Sequence, residues 1–248
     1  MYRKINELTW DTVASLDPES VFYVLPVGSL EQHGRALPLG TDDLILTSSL
    51  EAAAGRARLQ NCFLQLPNIH YGNSYEHMDF AGTVTLGCGL LAKMVESVME
   101  SMNRHGFRRL IVINSHGGNT AVFQAYAQEW EQKFGVRMYT VNFFGSEFFK
   151  DAQPMLQTSL ENEIHGGELE ASYISYAYPE LFHKEMAVPE RDVTVSLKEY
   201  HPGWLTRDLS PDNGLLGMAS RADTGKGEKL YEYMAEKLKN YLELFDRM

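Results

Sequence analysis

Cysteine is nearly absent from this 248-residue chain: only Cys62 and Cys88 occur, and neither falls in a CxxC pattern. Two such thiols build no disulfide framework and give no structural zinc or dithiol redox motif, so we read them as reduced thiols of a cytoplasmic protein. Long apolar runs are missing too. No stretch approaches the roughly 18 apolar residues of a membrane span, and MYRKINELTW at the start lacks the apolar core of a signal peptide. A basic surface is the third absence. The formal net charge is −11, with lysine and arginine scattered along the chain. That excludes the electrostatic footprint of a nucleic-acid binder and favours a small-molecule substrate or a protein partner.

What is present is the composition of a folded globular chain, 44% hydrophobic and 22% charged. At this length one sizeable domain over residues 1–248 is the simplest organisation. Short apolar runs alternate with helical patterns. VFYVLPV (21–27), CFLQL (62–66), RLIVIN (109–114) and VRMYTVNFF (136–144) read as strands. Helices are expected over 43–55, 89–105 and 119–134, and at the C-terminus, where Leu230, Met234, Leu238, Leu242 and Phe245 mark one face. The alternation predicts an α/β fold with a mainly parallel sheet. Residues 184–224 are dense in turn residues and read as an active-site cover, an oligomer contact or a plain surface excursion.

In open α/β sheets ligands bind beyond the carboxyl ends of strands, so polar residues that follow apolar runs are the first candidates. Three places qualify. In VGSLEQHGRALPLGTDD (27–43), Glu31 and His33 stand two apart on an extended segment and Asp42 follows. NSHGGNT (114–120) leaves His116 at the sheet edge, with an anion-binding loop as a competing reading. In HGGELEAS (165–172), His165, Glu168 and Glu170 enter a helical first turn, where acids are also favoured by the helix dipole alone. Together they supply imidazoles and carboxylates with no thiolate, a donor set suited to zinc, manganese or iron.

GSLEQHGRALPLGTDD, NSHGGN and HGGELEAS, in this order, resemble the signatures of the creatininase (creatinine amidohydrolase) family, with further matches in residues 71–87 and 214–228. The resemblance implies a single three-layer α/β/α domain, two divalent metals per subunit (zinc first, manganese or iron as alternatives) and a homo-oligomer, often a hexamer. It implies Glu31, Asp42 and His116 on one metal and His33 with Asp42 on the other, Asp42 bridging and Glu168 completing the set. It further implies that His165 carries protons and that Glu170 supports either it or the surroundings of the metals. The reaction implied is attack of metal-activated water on a carbonyl carbon. We expect hydrolysis of a C–N bond in a small cyclic amide or formamide-like molecule other than creatinine. Opening of a cyclic ketone such as an inosose by C–C cleavage, or a metal-binding scaffold without catalysis, are the alternatives. Creatininase itself has a glutamate where this chain has Gly118, and the family's usual Pro-His is replaced by Arg35 and Ala36. Those departures point to another substrate.

Overall fold

The structure is a computed structural model, described for residues 1–145, 147–187, 201 and 203–248. Five parallel strands form one sheet: β1 (Tyr2–Lys4), β2 (Val21–Val27), β3 (Cys62–Gln65), β4 (Arg109–Asn114) and β5 (Arg137–Asn142), in the order β1-β3-β2-β4-β5. Every residue of β2 is buried, as a central strand covered on both faces must be. Its side chains alternate between two cores: Val21, Tyr23, Leu25 and Val27 face one, Phe22 and Val24 the other. Pro26 is tolerated in this strand because it falls where β3 has already left the ladder after Gln65.

Helices cover both faces. α1 (Trp10–Ala14) follows β1; α3 (Gly87–Arg104) and α4 (Thr120–Phe134) close one core with Leu91, Val95, Met99, Phe123 and Trp130. α2 (Thr41–Arg56), α5 (Glu168–Ala177) and α7 (Thr224–Asp246) close the other, while α6 (Thr206–Leu209) is a short turn near the carboxyl edge. The expected three-layer α/β/α architecture with a mainly parallel sheet is therefore what the chain forms. No described helix is long and apolar enough to cross a membrane. The turn-rich stretch expected at 184–224 falls largely at 188–200 and 202, outside the described residues.

From β2 the chain moves to β3 on one side and then crosses to β4 on the other. The carboxyl ends of β2 and β4 thus flank the switch point where such sheets bind ligands.

Candidate metal centre

Both loops at that switch point turn inward. Beyond β2, Glu31 N–H donates to Leu39 O at 3.0 Å, which folds the loop back and buries Glu31, Gln32 and His33. Asp42 comes from the first turn of α2, where Ser29 Oγ–H donates to its carboxylate. Beyond β4, Asn114 and Asn119 shape the loop: Asn114 Nδ2 donates to His116 O at 2.8 Å, and Asn119 Nδ2 donates to Gly28 O at 3.0 Å. His165 and Glu170 arrive on the loop before α5 and its first turn, with Gly166 N–H donating to Glu170 Oε2 at 2.6 Å.

The side chains meet in a buried cluster. Glu31 Oε1 lies 3.2 Å from His116 Nδ1, 3.3 Å from His77 Nε2 and 3.6 Å from His165 Nδ1. Asp42 Oδ2 is 3.7 Å from both His33 Nε2 and His116 Nδ1, and Glu170 Oε1 is 3.7 Å from His33 Nε2. Donor atoms of Glu31, Asp42 and His116 all fall within 4.8 Å of one another; so do those of His33, Asp42 and Glu170, and those of Glu31, His33 and His165. Asp42, Glu31 and His33 each belong to two of these triads.

The hydrogen bonds fix which nitrogen of each ring faces inward. His33 Nδ1 lies 3.2 Å from Glu31 O, His116 Nε2 lies 2.8 Å from Asn73 O, and His165 Nε2 lies 2.6 Å from Gln32 O. A carbonyl can only accept, so each of these nitrogens carries a proton and the other is the one that faces the carboxylates. An imidazole nitrogen facing a carboxylate needs a proton or a metal cation between them. Both Glu31 oxygens and His33 Nε2 are buried without a hydrogen-bond partner, which points the same way. The residues fit divalent cations.

His77 differs. Gln32 Oε1 accepts from Gly34 N–H at 2.9 Å, so its Nε2 is the donor, to Gly214 O at 2.8 Å and to His77 Nδ1 at 2.9 Å. That leaves the proton on His77 Nε2, pointing at Glu31.

Burial and neighbouring charges perturb Glu31, Asp42, His33, His116 and His165. Burial would raise Glu31, but His116, His77 and His165 hold it well below the usual carboxylate range. Burial pushes Asp42 up to about 7. Burial opposes charge on His33 and His116 as well, yet the facing carboxylates raise them to about 9 and about 10. Burial, with His77 and His33 alongside, keeps His165 well below an ordinary imidazole.

Of the residues expected at the site, Glu31, His33, Asp42, His116, His165 and Glu170 come together. Glu168 does not. Its buried carboxylate accepts from Gln157 N–H at 3.0 Å and Thr158 N–H at 2.7 Å and pairs with Lys226. Glu170, not Glu168, is the carboxylate of this helix that lies in the cluster. Gly118 has a steric reason: a Cβ there would meet Asn73 O, His116 Nε2 at 2.5 Å and Glu76 Oε1 at 2.8 Å. Arg35 and Ala36, where a different substrate was expected to be recognised, lie off the cluster; Ala36 is buried and Arg35 Nη2 donates to Asp212 O at 3.3 Å. Sequence reasoning missed His77 and Glu76, although both lie in the resembling stretch 71–87.

A parallel α/β sheet whose carboxyl edge gathers imidazoles around shared, buried carboxylates defines a class: an enzyme scaffold fitted for divalent cations. The family model described as creatinine amidohydrolase (creatininase) matches residues 6–242, and the chain belongs to that family, a family of hydrolases. It is 28% identical to creatinine amidohydrolase of Pseudomonas putida over 243 residues, 92% of this chain and 91% of that one. Identity is also 28% over 242 residues to the mycofactocin precursor peptide peptidase of Mycobacterium ulcerans, covering 94% and 88%. The 3-dehydro-scyllo-inosose hydrolase of Thermotoga maritima is 29% identical over 172 residues, 66% of this chain and 53% of that one. Among solved structures, a tryptophan-to-alanine variant of creatininase shares the fold with TM-score 0.79 at 23% identity, over 99% and 98% of the two chains.

Proposed function

We propose that this chain is a dinuclear metal-dependent amidohydrolase that cleaves a C–N bond. The observation that carries the reading is the shared position of Asp42 in two donor triads, Glu31–Asp42–His116 and His33–Asp42–Glu170, beside Glu31 oxygens and a His33 Nε2 that lack a hydrogen-bond partner. Glu31 and His116 with Asp42 would hold one cation, and His33 and Glu170 with Asp42 the other. Solved creatininases described as Mn and Zn–Zn forms support either ion, with zinc our first choice for a set of imidazoles and carboxylates. When bound, such a pair lowers the pKa of water toward roughly 7 and polarises a carbonyl oxygen.

The chain's own residues supply the rest. His165, its Nε2 proton held by Gln32 O, presents Nδ1 as the base that takes the attacking water's proton and returns it to the leaving nitrogen. His77, set by Gln32, turns its Nε2 toward Glu31 Oε1 from 3.3 Å and favours the ionised carboxylate there. Two relatives that span most of the chain are named for cleaving C–N bonds, in creatinine and in a peptide, which favours amide hydrolysis over ring opening of a ketone. A cytoplasmic homo-oligomer, in hexameric form, belongs to the same reading.

Elemental analysis of the purified protein, paired with hydrolysis of a panel of amides and formamides, tests it. We expect about two divalent ions per chain, and Asp42→Ala to lose both metal and turnover. An Asp42→Ala protein that keeps its metal and its rate would end the assignment of Asp42 as the bridge.

A further inference from the structure

The cluster opens into a cavity of about 120 Å³, bordered by Phe144, Ile164 and Trp204. Small-molecule sites usually occupy about 300–1,000 Å³, so this space suits a reacting carbonyl and little else. Beside it lies a second cavity of about 370 Å³. The two share Gly117, Phe144 and Ile164 as a common wall, so a molecule held at the cluster has a roomy direction in which to extend.

The second cavity differs in chemistry from the first. Phe149, Leu160 and Leu169 line it along with Phe144 and Ile164. Phe144 is 39% exposed, an aromatic ring that the core does not use. The polar side chains in its wall are few. Lys150, at the exposed side, pairs with Glu147 at 2.6 Å. Glu163 accepts from Leu169 N–H at 2.9 Å through Oε2, while its buried Oε1 has no hydrogen-bond partner. Water in such a space finds few partners, and an apolar group that displaces it gains about 25 cal/mol per Å² of apolar surface covered.

We propose that this second cavity is a side-arm subsite, and that the substrate is an amide carrying an aromatic or branched aliphatic group next to the scissile bond. The arm rests against Phe144, Phe149, Leu160 and Ile164, and a hydrogen-bond donor on it reaches Glu163. The proposal builds on the amidohydrolase reading and narrows its substrate class from a small polar molecule to one with an apolar limb. Arg35 and Ala36 take no part in this selection.

Two probes separate the subsite from the chemistry: N-acetyl-L-phenylalaninamide, and N-acetylglycinamide, which offers the same bonds without the arm. With the metal-loaded protein we expect kcat/KM at least about 10-fold higher for the phenylalanine probe, with most of the difference in KM. Binding of both probes is measured by calorimetry on the same preparation. Leu160→Trp, which fills the cavity, should bring both the kinetic and the binding preference toward unity; Leu160→Ala, which removes one apolar contact but keeps the cavity open, should lower them only in part, and thermal melts confirm that both variants fold. Equal kcat/KM for the two probes, or a preference that survives Leu160→Trp, overturns the subsite while leaving amide hydrolysis standing. If neither probe is cleaved but the phenylalanine probe alone binds, and Leu160→Trp abolishes that binding, the subsite stands and the hydrolytic reading fails.

Discussion

Glu168 and Glu170 stand two residues apart in the first turn of α5, and at about 100° per residue their side chains leave the helix on nearly opposite sides. Only one can reach the cluster. Which one depends on helix phase, and phase is set by packing: Leu169, Ala171, Tyr173 and Ile174 turn into the core with α2 and α7. That rotation aims Glu170 at His33 and turns Glu168 to Lys226 and the Gln157–Thr158 amides. The two glutamates should therefore fail differently. Glu170→Gln is expected to lower bound metal toward one ion per chain with a small change in melting temperature. Glu168→Gln should keep both ions but lose about 2–4 kcal/mol of stability, because Lys226 is left without its anion. Elemental analysis beside denaturant melts reads both, and metal loss from Glu168→Gln alone would reverse the assignment. The cluster was otherwise largely legible, since Glu31, His33, Asp42 and His116 follow strand ends. His77 and Glu76 were not, because they sit in a single 3-10 turn between β3 and α3 that has no periodicity to mark it.

The elements that place these residues were readable to different degrees for physical reasons. β2 and β4 are covered on both faces, so their sequences are continuous apolar runs. β1 is three residues at the sheet edge with none fully buried, and no pattern of burial exists there to be written in sequence. The approach of α5 to α7 is also invisible until the helices are packed. Gly227 on α7 lies so close to α5 that a Cβ would press into Ser172 O and come within 2.7 Å of Tyr176 Cβ. Gly227→Ala normally favours a helix by up to about 1 kcal/mol. Here we expect the reverse, a net loss of about 1–3 kcal/mol from overpacking. Because α5 carries Glu170, metal affinity should fall along with stability, and titration of the variant with zinc against a chelator checks it. A variant at least as stable as the parent would show that the two helices are not in such close contact.

On the scale of the whole molecule, the cluster couples metal binding to pH. Once a chelator has removed the cations, the facing carboxylates raise His33 to about 9 and His116 to about 10, while burial raises Asp42 to about 7. All three hold protons that a bound cation must displace, since imidazole binds metal as the neutral ring and carboxylate as the anion. Affinity should therefore climb from pH 6 to 9, by up to about tenfold per pH unit for each proton released. The metal-free protein should move the other way. A group with a raised folded-state pKa contributes stability below its ordinary pKa and loses it as the pH rises through the raised value, so this form weakens through the Asp42 value near 7 and then through those of His33 and His116. Glu31, held low, stays ionised throughout and adds no slope in this range. The gap in melting temperature between metal-loaded and chelated protein should thus widen steadily from pH 6 to 9, at fixed free metal. Parallel melts at several pH values measure that gap. If it stays constant or narrows, the imidazoles and Asp42 are not exchanging protons for cations, and the cluster is a hydrogen-bonded polar core instead of a metal centre.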